Sequence, residues 1–139
     1  MKKINISITG CMGRMGQQLI KSSKKNKLFQ LHSITENKII KKKILGIKPQ
    51  LNSEQTFNDT EVIIDFTVPK CTFEVLKIAS KLKKKVVIGT TGFTKKEEEK
   101  IKVYSKKIPI LKAGNMSLGI NLLMYLTEIT SKTLNDNYL

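Results

Sequence analysis

Three glycines near the start of the chain have a spacing that suits a phosphate-binding turn. Gly10, Gly13 and Gly16 follow the run 4–9, whose alternation of apolar and polar side chains is typical of a strand. The residues after Gly16 have a helical pattern. A strand that turns through glycines into a helix gathers backbone N–H groups and the positive end of the helix dipole at one point. This pattern predicts a dinucleotide pyrophosphate site, and the alternative is an ordinary strand-to-helix turn.

Two further segments place polar groups directly after predicted strands. Glu36 follows the strand 28–35, where an acid can accept hydrogen bonds from the ribose of an adenosine. Gly89, Thr90 and Thr91 follow the buried strand 85–88, and their hydroxyls suit a nicotinamide ribose or amide. The alternatives are a surface glutamate in the first case and a polar turn in the second.

Asp65 is a carboxylate inside the apolar run 62–66. Burying a charge is costly unless hydrogen bonds satisfy it, so Asp65 is either a catalytic acid or a partner for a neighbouring loop or helix N–H group. We favour the second interpretation and assign no catalytic residue.

The whole chain alternates strands and helices, which predicts a parallel sheet covered on both faces. The segment 37–60 is irregular, with a short strand around Ile44 and a turn of helix at 52–57. The apolar face of the helix after Pro69 is assigned to Phe73, Leu76, Ile78 and Ala79. The predicted strands are 4–9, 28–35, 62–66, 85–88 and 109–111, and the main helices are 17 to about 26, 71–82, about 95–106 (opened by a Thr94–Glu97 capping box) and 118–134.

The carboxyl ends of parallel strands meet at one edge of the sheet, and ligands bind there in open sheets of this kind. The glycine turn, Glu36, residues 66–67, 89–92 and 113–117 all fall at that edge. The topology and the motifs therefore predict the same site.

The net charge of +15 comes almost wholly from lysine. Arg14 is the single arginine, whereas arginine is the preferred side chain for reading bases and gripping phosphates. The lysine runs 41–43 and 83–85 contain no aromatic residue. We interpret this excess as solvated surface and expect no nucleic-acid partner, with polyanion binding as the alternative.

Several other classes of protein do not fit the sequence. Cys11 and Cys71 form no paired motif, so we expect no disulfide framework. The one histidine, His32, falls in a predicted strand as an edge or half-buried residue. With one histidine and two scattered cysteines, we expect no metal site. The sequence has no signal-peptide pattern and no apolar stretch that suits a membrane span. We therefore expect a cytoplasmic protein without a membrane partner.

Four motifs occur in an order that resembles one enzyme family, dihydrodipicolinate reductase, also called 4-hydroxy-tetrahydrodipicolinate reductase. They are Gly-Cys-Met-Gly-Arg-Met-Gly at 10–16, Ile-Asp-Phe-Thr-Val-Pro at 64–69, Val-Ile-Gly-Thr-Thr-Gly-Phe at 87–93 and Asn-Met-Ser-Leu-Gly-Ile-Asn at 115–121. The resemblance implies a Rossmann-type, doubly wound α/β fold. It also implies hydride transfer from NADH or NADPH to a cyclic dicarboxylate imine, in the diaminopimelate route to lysine.

The resemblance also assigns cofactor-binding residues. The pyrophosphate would lie against Gly10, Cys11, Met12, Gly13, Arg14 and Met15, and the adenosine ribose against Glu36. The nicotinamide side would be lined by Gly89, Thr90 and Thr91, and the last cofactor segment would be Ala113, Gly114, Asn115 and Met116.

The chain departs from the family in three ways. Asn37 stands where the family often has an arginine, which leaves the choice between NADH and NADPH open. Met116 replaces a usual phenylalanine. The His-His-x-x-Lys and Ser-Gly-Thr motifs, which serve the family as proton donor and dicarboxylate clamp, do not occur in these residues.

We therefore expect a dinucleotide-binding domain over 1–116 and, over 117–139, a helix leading toward a substrate and tetramerisation domain that the chain lacks. The fold would be incomplete relative to the family, as in a piece of a longer sequence, a truncated form or the product of a decayed gene. The homotetramer expected of the whole family protein is not assigned to this chain. The main alternative function is a non-catalytic NAD(P)-binding module.

Overall fold

The fold is built on a five-stranded sheet whose strands all run parallel. The computed structural model describes residues 2–134. The strands are β1 (Ile4–Thr9), β2 (Phe29–Thr35), β3 (Val62–Asp65), β4 (Lys85–Ile88) and β5 (Ile110–Lys112). The helices are α1 (Arg14–Lys25), α2 (Glu54–Phe57), α3 (Pro69–Leu82), α4 (Lys95–Ser105) and α5 (Leu118–Leu134).

The strand order is β2-β1-β3-β4-β5, so the chain leaves β1 toward one side of the sheet and then continues on the other. A crevice forms outside the carboxyl ends of two neighbouring strands where the direction of winding reverses, here β1 and β3. The prediction of a Rossmann-type, doubly wound parallel sheet is confirmed.

Two apolar cores cover the two faces of the sheet. On one face Ile8 and Ile34 pack with Ile20 of α1. On the other, Ile63 and Ile88 pack with α3. The buried face of α3 differs from the predicted one, because Thr72 and Val75 are buried whereas Phe73 and Ile78 are only partly covered.

Local signals explain where the helices begin. Pro69 occupies the first turn of α3, where its missing N–H costs no hydrogen bond, so the helix starts two residues before the predicted Cys71. At α4 the predicted capping box is present, with the Glu97 N–H donating to the Thr94 hydroxyl and the Thr94 N–H donating to the Glu97 carboxylate. The Thr94 N–H and the Thr94 hydroxyl both donate to the Glu97 carboxylate, and these two hydrogen bonds lower the pKa of Glu97.

β2 contains one extra residue. Leu31 pairs with Ile6, but Ser33 pairs with Ser7, so His32 is skipped in the register and forms a β-bulge. Strict alternation would place Leu31 and Ile34 on opposite faces, yet both lie in the core beside α1. The bulge allows this. It also leaves His32 exposed on β2, the edge strand of the sheet, which confirms the first of its two predicted placements, at an edge, and not the half-buried one.

The segment between β2 and β3 differs in part from its prediction. The expected strand around Ile44 is wrong: Ile44 and Ile47 form an isolated bridge across a tight turn, with φ of 47° at Leu45 and 86° at Gly46. Gln50 instead pairs in parallel with Thr35 at the outer edge of β2. The predicted turn of helix at 52–57 is confirmed by α2.

The predicted helix 118–134 is confirmed by α5, but no residue of α5 is buried. Large apolar side chains face solvent along it, including Leu122, Leu123 and Leu126, each exposed over half or more of its surface. Within residues 2–134 no helix is long and apolar enough to cross a membrane. The last five residues, 135–139, of the predicted segment 117–139 lie outside the described part of the chain.

Candidate functional site

An open cavity of about 240 Å³ lies at the carboxyl ends of β1 and β3. It coincides with the reversal point of the sheet, where a ligand is expected. The structure therefore brings together three of the predicted segments: the glycine turn, the end of β2 and the start of the loop after β3. The lining residues are Gly10, Gly13, Glu36, Asn37, Phe66, Thr67, Val68 and Cys71.

The glycine turn depends on close contact between α1 and the end of β1. Gly10 has a φ of +65°, a conformation that favours glycine. A Cβ atom on Gly16 would lie 2.1 Å from the Gly10 carbonyl oxygen, so only glycine fits at this crossing. The Gly13 N–H donates to the same oxygen at 3.0 Å. The result is a compact turn that brings the start of α1 to the rim of the cavity.

The first turn of α1 has backbone donors that are free to meet an anion. Its first intrahelical hydrogen bond runs from the Gln17 N–H to the Gly13 carbonyl, which leaves the N–H groups before Gln17 without helical partners. Gly13, at the N-cap, provides no side-chain cap, and the first turn contains no acidic residue. The side chains of Arg14 and Met15 are exposed beside these donors. The arrangement suits a phosphate group.

Cys11 holds the turn from inside. Its N–H donates to the Thr35 carbonyl at 3.0 Å, and its side chain is fully buried in the core beside α1. Burial raises the pKa of this thiol to about 11, and the nearby Glu36 carboxylate adds to the shift. Neither its N–H nor its thiol is free for a ligand, so Cys11 supports the turn more than it lines the cavity.

Glu36 lies beside the glycine turn, as its position after β2 predicts. Its carboxylate accepts the Met12 N–H at 3.1 Å and the Asn37 N–H at 3.0 Å. The residue is only half-buried and borders the cavity. A carboxylate at this point can accept hydrogen bonds from a sugar hydroxyl.

Residues 89–91 lie one strand further along, after β4. A Cβ on Gly89 would lie 2.1 Å from the Phe66 ring, so this glycine lets the ring pack over the end of β4. Thr90 is 2% exposed, whereas Thr91 is exposed. The Thr90 side chain is turned inward, which leaves its main chain and Thr91 as the parts that a ligand can reach.

Asp65 is fully buried and is enclosed by threonine hydroxyls. One carboxylate oxygen accepts from Thr9 and Thr67, both at 2.6 Å, and the other accepts from Thr72 and, at 3.2 Å, from Thr90. The interpretation of Asp65 as a hydrogen-bonding partner fits this geometry, though its donors are hydroxyls and not backbone N–H groups. The sequence analysis did not predict Thr9, Thr67 or Thr72 as partners of Asp65. The available signal was that each is a threonine near the end of a strand or the start of a helix.

Residues 113–116 lie beyond β5, on the far side of residues 89–91 from the cavity. The Ala113 N–H donates to the Ile88 carbonyl at 3.4 Å. Asn115 caps the approach to α5, because its side-chain oxygen accepts the Ser117 N–H at 2.9 Å. Gly114 and Met116 are exposed. This segment is therefore at the predicted edge of the sheet but outside the cavity between β1 and β3.

No cluster of side chains within residues 2–134 has the composition of a metal site. His32 is exposed on β2 and borders neither the cavity nor residues 89–91. The described residues at this edge of the sheet thus present backbone donors, one accessible carboxylate and small side chains.

The sequence and the fold both match known proteins. The family described as dihydrodipicolinate reductase, N-terminus, matches residues 4–116. A 4-hydroxy-tetrahydrodipicolinate reductase from Pelagibacter ubique (strain HTCC1062) is 74% identical over the whole chain, which covers 54% of that protein. One from Buchnera aphidicola subsp. Schizaphis graminum is 44% identical over 97% of the chain and 54% of that protein.

A solved structure supports the fold. The dipicolinate-bound dihydrodipicolinate reductase from Paenisporosarcina sp. TG-14 superposes with a TM-score of 0.77 at 24% identity, over 92% of this chain and 53% of that one. The chain spans about half the length of the curated relatives it matches. Because the family match extends over most of the sequence, the chain belongs to the dihydrodipicolinate reductase family, in the part that forms its N-terminal domain.

Proposed function

We propose that this chain is the cofactor-binding half of an enzyme that reduces 4-hydroxy-tetrahydrodipicolinate to tetrahydrodipicolinate in lysine and diaminopimelate biosynthesis. The observation that carries the proposal is the row of unpaired N–H groups at the start of α1, set in a chain of this family. A bound NADH or NADPH would supply the hydride that reduces the imine of the substrate.

The residues of the chain would hold the two halves of the cofactor on adjoining strands. The first-turn N–H groups at Arg14 and Met15 would receive the pyrophosphate, with Gly10 and Gly13 allowing it to approach the backbone. Glu36 would accept hydrogen bonds from the adenosine ribose. The main chain of residues 89–91 and the Thr91 hydroxyl would border the nicotinamide, and residues 113–116 would extend that border.

The cyclic dicarboxylate substrate would be held and protonated by residues outside 2–134. The residues that line the cavity include no histidine or lysine, and the single histidine, His32, does not line it. We therefore keep the division into a cofactor domain over 1–116 and a following segment that leads to a substrate domain. The whole protein would act as a homotetramer, without a nucleic-acid or membrane partner.

The proposal is tested by titrating the 139-residue chain with NADH and following the fluorescence of the reduced nicotinamide. Saturable binding is expected. Arg14→Glu should weaken it by about tenfold, because a carboxylate beside the start of α1 repels the pyrophosphate and competes for its donors. Lys25→Glu makes the same charge change at the other end of α1 and is the matched control. An absence of NADH and NADPH binding, or equal weakening by both variants, would contradict the proposal.

The preference between the two cofactors would depend on Glu36. Its carboxylate favours a ribose with free hydroxyls and repels the 2′-phosphate of NADPH. Glu36→Gln should therefore lower the Kd of NADPH relative to that of NADH, by about threefold to tenfold. Glu61→Gln is the matched control. The Glu61 carboxylate also accepts a backbone N–H, that of Asn5, but it lies at the amino ends of the strands, away from the cavity. An unchanged ratio in Glu36→Gln would remove Glu36 from the ribose site.

A further inference from the structure

Asp65 joins four separate segments of the chain at one point. The hydroxyls that it accepts come from Thr9 at the end of β1, Thr67 in the loop after β3, Thr72 in the first turns of α3 and Thr90 in the loop after β4. A carboxylate has about four lone-pair directions, so these four donors occupy them all. Asp65 is also 0% exposed, which places it out of reach of a substrate. The carboxylate is therefore occupied in holding these segments.

Thr90 makes the closest link between the loop after β3 and the loop after β4. Its hydroxyl donates to Asp65 and accepts the Thr67 N–H at 2.9 Å. The Gly89 N–H donates to the Asp65 carbonyl at 2.8 Å, and the Phe66 ring fills the space where a Cβ of Gly89 would lie. Residues 89–90 are thus fixed by a side chain, a main chain and an aromatic ring, all from residues 65–67.

The same group of residues contacts the glycine turn. A Cβ on Gly10 would lie 2.7 Å from the Thr67 methyl group, and the next residue back, Thr9, donates directly to Asp65. The spacing between the glycine turn and residues 89–91 is therefore determined by Asp65 and its threonines. That spacing is the distance which one dinucleotide would have to span.

We propose that Asp65, acting through Thr90, is a positioning residue that sets residues 89–91 against the nicotinamide half of the cofactor. The inference rests on the proposed function. It assigns to Asp65 neither proton transfer nor direct contact with a ligand. Loss of the Asp65–Thr90 hydrogen bond should release residues 89–91 while leaving the adenosine and pyrophosphate contacts in place.

Comparing NADH with ADP-ribose, which lacks the nicotinamide, separates positioning from a merely structural role. Thr90→Val keeps the shape of the side chain but removes the hydroxyl, and Asp65 is the sole acceptor of that hydroxyl among residues 2–134. We expect the Kd of NADH to rise about tenfold and that of ADP-ribose to stay within about twofold, each measured on the full chain by calorimetry. A general loss of folded protein would weaken both ligands equally.

Thr72→Val is the matched control. It removes one hydroxyl from the same carboxylate oxygen, from a residue that is equally buried but lies on α3. It should leave the ratio of the two Kd values as in the unmodified chain. If Thr72→Val shifts the ratio as strongly as Thr90→Val, the inference is overturned, because the loss would then reflect any damage around Asp65.

Asp65→Asn tests whether Thr90 acts through Asp65 or touches the cofactor itself. The amide provides one oxygen where the carboxylate provides two, so we expect it to raise the NADH-to-ADP-ribose ratio of Kd values. The double variant, with both Asp65→Asn and Thr90→Val, should then have the same ratio of Kd values as Thr90→Val alone, because both substitutions break the same hydrogen bond. Additive effects, an unchanged ratio in Asp65→Asn, or equal binding of NADH and ADP-ribose by the unmodified chain would each overturn the inference. If the unmodified chain binds neither ligand, the proposed function fails instead.

Discussion

The sheet and the last helix contain similar apolar side chains but place them in opposite surroundings. Ile8, Ile63 and Ile88 of β1, β3 and β4 are completely buried. In the described part of the chain, no buried side-chain polar atom of the fold lacks a hydrogen-bond partner. In α5, by contrast, Leu122 and Leu123 are more than half exposed, and no residue is buried. The sheet region is held by packing, whereas α5 is held by its own local contacts.

Those local contacts explain why α5 is nevertheless a helix. Its start is capped by Ser117, whose hydroxyl accepts the Ile120 N–H at 3.4 Å. An exposed ion pair joins Lys132 to Glu128 one turn apart. Each such contact contributes a few tenths of a kcal/mol up to about 1 kcal/mol, and an isolated helix of this length is only marginally stable in water. The comparison teaches that an apolar helical pattern fixes where a helix runs but not what it packs against.

The largest expected effect on stability comes from comparing a leucine of the sheet region with a leucine of α5. Leu76→Ala removes a completely buried side chain from α3 and should lower the free energy of unfolding by about 2–5 kcal/mol. Leu122→Ala in α5 should change it by less than about 0.5 kcal/mol, because the side chain already faces solvent. Urea unfolding followed by far-ultraviolet circular dichroism measures both. Equal losses would mean that α5 packs against the sheet region after all.

A smaller effect is expected from adding one methyl group to a glycine of each region. Gly16→Ala would place a Cβ 2.1 Å from the Gly10 carbonyl oxygen, so α1 must move away from β1 at a cost of about 1–3 kcal/mol. Gly114→Ala, in the segment before α5, meets no atom within 4 Å and should change the free energy of unfolding by less than about 1 kcal/mol. Thermal melts of the two variants provide the comparison. A tolerated Gly16→Ala would show that the close crossing of α1 and β1 is not required.

Much of the sheet region could be predicted because its local signals agree with its packing. β1 and β4 begin and end where the apolar pattern does, and the Thr94 capping box sets the start of α4. The segment after Glu36 could not be predicted in full. Its structure depends on the pairing of Gln50 with Thr35, a contact that no local pattern encodes.

The candidate site also has one part that the sequence predicts and one part that it does not. The glycine turn and Glu36 are contiguous with their strands, so spacing alone places them at one edge of the sheet. The enclosure of Asp65 could not be read from the sequence, because its threonine donors are brought together only by the order of the strands. That order also turned the Thr90 side chain inward.

The bulge at His32 determines which side chains in the second half of β2 face the core. Side chains alternate in direction along a strand, so one added or removed residue exchanges inside for outside in everything that follows. Because His32 has no partner in the ladder, the register resumes with Ser33 beside Ser7 and ends with Thr35 beside Thr9. If His32 were paired regularly, Ile34 would fall on the opposite face from Leu31 and leave the core beside α1, and the later residues of β2 would change sides as well. The unpaired position thus keeps Ile34 in the core and places Glu36 next to the Met12 N–H. The single histidine of the chain serves the site through its main chain and not through its imidazole.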